Sequence, residues 1–311
     1  MANCINCSTG LRNSGLINGV KPQGEIFKLV FTPLVANDES LNRIDLTETL
    51  NKAFFDALIN NTDKSKRWYP TPILENITDD REDAVFETFN SRRKVYKDKG
   101  LRGLTAEIPS RPGRGVPSAY LEVIRNMNCE KMGFYIVDDC GNLYGDFSNS
   151  AYLAPIPVMP ATFDYKSITA LGETVHKLMF GFTYDLKFDD SHLGMIYSQE
   201  IDGISLSDVE GLINLILDSS TLAGDDSYVD VTIKTDFGSA VGGLLVPNLA
   251  AKISVYLVSD DTEITNTVAE TSTGVYRITP SSSFSADFYV GTATGVIGFD
   301  QTALNTTISV A

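Results

Sequence analysis

Between residues 174 and 188 the side chains alternate in strict period two. Leu178, Phe180, Phe182, Tyr184, Leu186 and Phe188 share one face, and Lys177, Met179, Gly181, Thr183, Asp185 and Lys187 share the other. A helix would scatter those aromatics around its circumference. A β-strand places them together on a core and leaves the second, mixed face available to solvent, a wetted lumen or a subunit seam, so the chain must build a sheet here. Strands are also predicted at 24–35 and 161–170. Segments 131–138 and 143–147 flank Asp139-Cys-Gly-Asn142, residues that tolerate a positive φ, which predicts a hairpin.

Three segments carry helical signals. In 45–60, Leu46, Leu50, Ala53, Phe54, Ala57 and Leu58 recur on one face, and Asp45 with Glu48 forms a capping-box-like start. Ser118 opens a short helix to about residue 127, and Ser207-Asp-Val-Glu210 opens a third over 208–217. Charge divides the chain unevenly. Residues 1–200 carry 22 Lys and Arg against 26 Asp and Glu, whereas 201–311 carry 3 against 14. That step, and the short Thr/Val/Ile/Tyr-rich segments that follow Gly224-Asp-Asp, mark a second domain. The expected fold is mainly β with a few helices (α+β). It comprises an extended arm over 1–23, a curved sheet or barrel over 24–221 and an immunoglobulin-like sandwich over 222–311, without that fold's usual cysteine pair or tryptophan.

Residues 91–114 hold eight basic side chains (Arg92, Arg93, Lys94, Lys97, Lys99, Arg102, Arg111 and Arg114) against Asp98 and Glu107. Proline and glycine at 109–117 break regular structure, so 91–117 reads as a long loop. Nucleic-acid binding needs interleaved aromatics, of which Tyr96 is the one present, and the acidic remainder repels phosphate. The simpler role is to meet an acidic surface on a neighbouring copy, as head-to-tail assembly requires. A plain solvated loop is the alternative.

Catalytic signatures are lacking. There is no phosphate-binding loop, nucleophile elbow or dinucleotide fingerprint, so no cofactor is expected. Of the two histidines, His176 falls in the alternating strand and His192 in a turn, neither beside a nucleophile motif. Cys4-x-x-Cys7 has knuckle spacing and with Cys129 and Cys140 could complete a four-thiolate zinc site. The second pair lacks that spacing, and free thiols are the plainer reading. The acidic pairs at 79–83, 189–190, 225–226 and 260–261 match no calcium loop and read as solvated turns. Without a leader-like start or a long apolar run, the chain is expected to be cytoplasmic when made, with no membrane partner. It reads as a structural protein rather than an enzyme.

The order of elements over 24–200 resembles the tail tube proteins of long-tailed bacteriophages: an early strand, the 45–60 helix, a long central loop, then a curved sheet ending in the 174–188 strand. Phrases such as Gly133-Phe-Tyr-Ile-Val-Asp, Ala154-Pro-Ile-Pro-Val and Phe180-Gly-Phe-Thr-Tyr-Asp have a similar texture. A C-terminal sandwich is similar to the immunoglobulin-like decorations of phage virion proteins. The resemblance implies rings of identical subunits whose inner sheets join around a channel, stacked head to tail through the loop and arm. It also implies an acidic wall past which DNA moves without specific binding, in a virion assembled in the host cytoplasm. At 311 residues the chain is long for a bare tube subunit, a length the added sandwich accounts for. Alternatives are a capsid-associated, connector-ring or baseplate protein, or a glycan-binding adhesin.

Overall fold

The alternating segment is an antiparallel strand in the computed structural model of the protein, which describes residues 24–310 apart from 62, 111–123, 170–174, 240–241, 293–298 and 301–306. The protein is mainly β, with a sheet curled into a half-barrel. The chain divides into two compact units at Gly211. The expected arm, 1–23, lies outside the described residues.

The first unit begins with β1 (Ile26–Pro33), β2 (Ile44–Asp45), α1 (Lys52–Ile59), β3 (Tyr69–Pro70), β4 (Glu75–Arg81), β5 (Val85–Thr88), β6 (Lys94–Asp98) and β7 (Arg102–Pro109). It continues with β8 (Met132–Asp138), β9 (Leu143–Asn149), β10 (Tyr152–Ala154), β11 (Ile156–Pro157), β12 (Asp164–Ile168), β13 (Lys177–Thr183) and β14 (Leu193–Ile196). One sheet runs β2-β10-β9-β8-β1-β3, with β11 on β8 and β14 on β9; a second runs β12-β13-β7-β4. The β8–β9 hairpin forms as expected. The buried Asp138 carboxylate shapes its turn by accepting from the Cys140 and Asn142 N–H groups (3.0 and 2.8 Å) and from the Tyr144 hydroxyl (2.8 Å). Gly141 supplies the φ of +78° that this turn needs.

Phenylalanines join the two sheets. Phe182 of β13 meets Phe31 of β1, Phe134 of β8 and Phe163 at centroid distances of 5.5, 4.9 and 5.3 Å. Burying each such ring contributes about 1.5–3 kcal/mol. The early helix packs on other aromatics. Phe55 lies 5.6 Å from Trp68, which lies 5.0 Å from Tyr135.

The helix at 45–60 shortens to α1, because Asp45 joins β2 and its carboxylate accepts from the Thr47 N–H at 3.0 Å, forming a local turn. Asn51 caps the helix instead, accepting from the Phe54 N–H at 3.0 Å, and the buried face is Phe55 and Ile59. The alternating strand ends at Thr183. Asp185 and Lys187 therefore lie in the following turn, where the Asp185 carboxylate accepts from the Lys187 N–H, and Leu186 is exposed. Of the helix placed at 118–127, residues 124–127 are described and helical. No helix forms over 208–217. A 3₁₀ turn covers Leu206–Asp208 and a strand follows, because Ile213, Leu215 and Leu217 fit a strand's alternation as well as a helical stripe.

That strand opens the second unit: β15 (Ile213–Leu222), β16 (Val229–Ser239), β17 (Gly242–Leu245), β18 (Ile253–Leu257) and β19 (Glu263–Ile264). Then come β20 (Asn266–Ser272), β21 (Val275–Pro280), β22 (Phe288–Thr292), β23 (Phe299–Asp300) and β24 (Thr307–Ile308). One sheet runs β20-β21-β16-β15-β23 with β17 on β16, and the other runs β19-β18-β22-β24. The β15–β23 pairing is parallel, whereas its neighbours are antiparallel. Leu215, Val231, Ile233, Val255, Ile278 and Val290 fill the core. Tyr276 is buried among them with its hydroxyl donating to the Val246 carbonyl, and Phe284 stacks on Phe288 at 4.0 Å.

Candidate assembly surfaces

Among the described residues most of the basic segment is strand rather than loop. β5 and β6 pair with each other in a two-stranded sheet. Their turn is closed by Phe89 and Arg93, with the Phe89 N–H donating to the Arg93 carbonyl at 3.0 Å and Arg92 at φ +60°. Arg92, Arg93, Lys94 and Lys97 are exposed. So are five apolar or aromatic residues: Val85, Phe86, Phe89, Val95 and Tyr96. Phe86 and Tyr96 face each other across the strands at 5.9 Å and are 54% and 56% exposed. A two-stranded hairpin is marginal in water by itself, and a cluster of exposed aromatics marks a contact surface.

The hairpin's neck is held firmly. The Glu82 N–H donates to the Leu101 carbonyl at 2.9 Å. Gly100 sits so close to Glu82 that a Cβ there would lie 1.9 Å from the Glu82 carbonyl oxygen. Lys99 donates its ammonium to the Phe188 carbonyl. Arg102 binds Asp79 in bidentate fashion, with 2.7 Å for its Nε, and also Asp190 at 2.6 Å. Arg81 reaches the other Asp190 oxygen at 2.5 Å. The Asp79 hydrogen bonds raise the Arg102 pKa against the effect of burial, and Arg81 lowers that of Asp190. Lys99 and Arg102 thus belong to the neck and not to the exposed cationic tip. Arg111 and Arg114 lie outside the described residues.

The outward face of the β12-β13-β7-β4 sheet is the second surface. Leu178, Phe180 and Phe182 are buried beneath it. On the open side Thr183 stands opposite Gly103, and Gly181 opposite both Thr105 and Asp164. With Met179, these small residues floor a groove of about 300 Å³. A Cβ on Gly181 would lie 2.9 Å from Thr105 Cγ2. On the same face Lys177 donates to the Glu107 carboxylate at 2.7 Å, and Asn76 donates to the same carboxylate at 2.6 Å. β12 and β4 are the edge strands of this sheet among the described residues.

Among the described residues the zinc candidates Cys129 and Cys140 do not offer a pair of thiolates. Cys140 is disulfide-bonded and so offers no thiolate, Cys129 is a free exposed thiol, and Cys4 and Cys7 lie outside the described residues. Asp138, Asp139 and Cys140 place ligand-type atoms within 4.8 Å, but the hairpin turn already occupies Asp138 and the disulfide occupies Cys140. Ser167 Oγ lies 2.9 Å from His176 Nε2 in an exposed position, and His192 Nδ1 lies 4.0 Å from Asp146. Asp189, Asp225 and Asp260 serve their own turns, each accepting from the N–H two residues on, whereas Asp79 lies in β4 and Asp190 binds Arg81 and Arg102, so these two acids are not the solvated turn residues expected. Among the described residues no helix is long and apolar enough to cross a membrane.

The exposed apolar tip of β5 and β6 and the pairing of Gly103 with Thr183 had escaped the sequence reading. The strand-favouring residues Val85, Phe86, Val95 and Tyr96 were the available signal for the first; the second depends on register. Neither a family model nor a curated protein matches this chain.

Proposed function

We propose that the chain is a self-assembling structural subunit of a phage virion, and specifically a tail tube subunit whose rings surround a passage for DNA. The observation that carries this reading is the β5–β6 hairpin, which exposes Phe86, Phe89 and Tyr96 beside Arg92, Arg93 and Lys94 on a rigid neck. Apolar side chains of this size gain free energy when a second surface covers them, and the cations select an acidic one. The same chain supplies acids in abundance, at net charge −15, so a second copy is the natural partner.

Two further features support ring formation. Among the described residues the β12-β13-β7-β4 sheet ends in two different edge strands, and pairing one edge with the other on the next copy is a heterologous contact, the kind that closes into a ring when the rotation between copies allows it. The small-residue groove over Gly103, Gly181 and Thr183 suits a face that another backbone approaches closely. The second unit reads as an immunoglobulin-like decoration. Its order β20-β21-β16-β15 over β19-β18-β22-β24 follows the D-E-B-A and C′-C-F-G arrangement of such domains. The role is mechanical rather than enzymatic.

Negative-stain electron microscopy of the concentrated protein tests this reading. Rings or tubes of uniform diameter are expected. A protein that stays a monodisperse monomer at every concentration refutes it.

A further inference from the structure

An amine, a carboxylate and a carboxamide converge on the outward face of the β12-β13-β7-β4 sheet. Lys177 of β13 donates its ammonium to both oxygens of the Glu107 carboxylate at 2.7 Å. The Asn76 carboxamide of β4 donates to one of those same oxygens at 2.6 Å. Glu107 lies on the outward register of β7, yet its side chain is only 9% exposed. Asn76 sits at φ +48°, where the β4–β7 register shifts between Glu75 and Thr78. Asparagine is among the few residues that adopt this left-handed conformation readily. The ammonium and the carboxamide are thus held against one shared oxygen.

We infer that these groups form an amide cross-link after folding, with the Lys177 amine displacing ammonia from the Asn76 carboxamide. A lysine amine becomes a nucleophile once it loses its proton, and a carboxylate within hydrogen-bond reach can take that proton. The freed Nζ lone pair then attacks Asn76 Cγ, and a C–N bond forms. Glu107, now a carboxylic acid, gives its proton to Nδ2. The Cγ–Nδ2 bond breaks and ammonia departs. A second Nζ proton leaves through the same carboxylate and ends on the ammonia. An ammonium and a carboxamide thereby become a secondary amide and an ammonium ion. Glu107 is again a carboxylate, and no oxidant or other co-reactant is consumed. The ion pair is the freshly folded state from which the bond forms. The product staples the edge strand β4 to β13 across β7, and like a disulfide it constrains the unfolded chain. This inference does not depend on assembly.

Intact-mass spectrometry of the full chain reads the reaction, on fresh protein and after incubation at about pH 9, where more of the lysine is neutral. A product lighter by one ammonia should accumulate with time. Digestion should yield a branched peptide that joins β4 to β13 through Asn76 and Lys177. Cyclisation of an asparagine onto its own backbone also releases ammonia, so the branched peptide is the deciding observation. Lys177→Arg keeps a cation beside Glu107, but its guanidinium stays protonated and cannot attack, so no branched peptide should form. Glu107→Gln should slow the reaction about a hundredfold. The inference is overturned if the folded, unaltered protein yields no branched peptide after incubation. It is equally overturned if Lys177→Arg loses ammonia as the unaltered protein does, or if Glu107→Gln reacts at the unaltered rate. Should Glu107→Gln fail to fold, the branched peptide and Lys177→Arg decide the question.

Discussion

Phe134 and Phe182 belong to different sheets, yet their rings meet edge-on at 4.9 Å, and both are almost completely buried. This contact ties the β1–β8 layer to the β13 layer, so removing the Phe182 ring opens a cavity that neither sheet can close. Phe182→Ala is expected to cost about 3–5 kcal/mol in urea denaturation. Leu186→Ala, from the same alternating sequence but beyond the strand end and exposed, should cost less than about 0.5 kcal/mol. Equal costs would show that the strand runs on past Thr183.

Reversing the charge of Arg92, Arg93 and Lys94 together to Glu should block assembly and leave the subunit folded. All three are exposed at the hairpin tip, so subunit stability changes little, whereas like charges at an interface cost several kcal/mol. Sedimentation should report small species with unchanged circular dichroism. Normal assembly would remove the hairpin from the interface. A companion variant, Arg102→Ala, breaks the neck's contacts with Asp79 and Asp190 and should lower stability itself.

Glu107 and Lys177 make stability depend on pH. Burial alone would raise the Glu107 pKa, but the hydrogen bonds from Lys177 and Asn76 prevail and lower it. A lowered folded-state pKa means that the contribution is present above the ordinary carboxyl value of 4.5 and disappears as pH falls through the folded one. Acid unfolding of Glu107→Gln should therefore show a shallower loss of stability below pH 4.5 than the unaltered protein. Lys177→Met leaves the buried carboxylate without its cation, should cost about 1–3 kcal/mol at neutral pH, and should move the acid transition to higher pH.

Local patterns foretold the elements that local patterns determine. The period-two run of aromatics became β13, and Asp139-Cys-Gly-Asn142 became a turn because the Asp138 carboxylate and Gly141 satisfy it within a few residues. The helix start failed because Asp45 and Asn51 can both accept from the backbone, and the pairing of Ile44–Asp45 with β10, about a hundred residues away, decided between them. The basic segment read as a loop because charges on both faces of a solvated hairpin erase the contrast between inside and outside. The groove was illegible for another reason. It exists because register sets Gly103 against Thr183, and Arg102 finds Asp79 and Asp190 only after folding.

Where the chain can be cut follows from β15. The strand pairs with β16 over Leu215–Leu222 and buries Leu215 completely, so it belongs to the second unit. Residues 212–311 should fold alone with a single cooperative transition, and 1–211 should stay soluble and still assemble. Ending the first piece at 221 instead leaves β15 as an unpaired apolar strand, which promotes aggregation. If 1–221 proves the better-behaved piece, β15 belongs with the first unit.

Thr183 tests whether the outward face of β13 is part of a shared wall. Its backbone N–H is fixed by the Thr162 hydroxyl at 3.1 Å, its side chain stands opposite Gly103, and the groove opens beside it. An indole at this position can lie over the glycine without entering the core, and tryptophan is well accommodated in strands. Thr183→Trp should thus leave the isolated subunit folded, with stability changed by less than about 0.5 kcal/mol. Assembly reads the difference. If the face lines a channel, rings should form with a narrower lumen; if it is a seam between copies, the filled groove should stop ring closure and leave open oligomers. Both appear directly in electron micrographs of the variant beside the unaltered protein. Rings of unchanged diameter and lumen would mean that this face only meets solvent, and the wall would have to be sought elsewhere on the subunit.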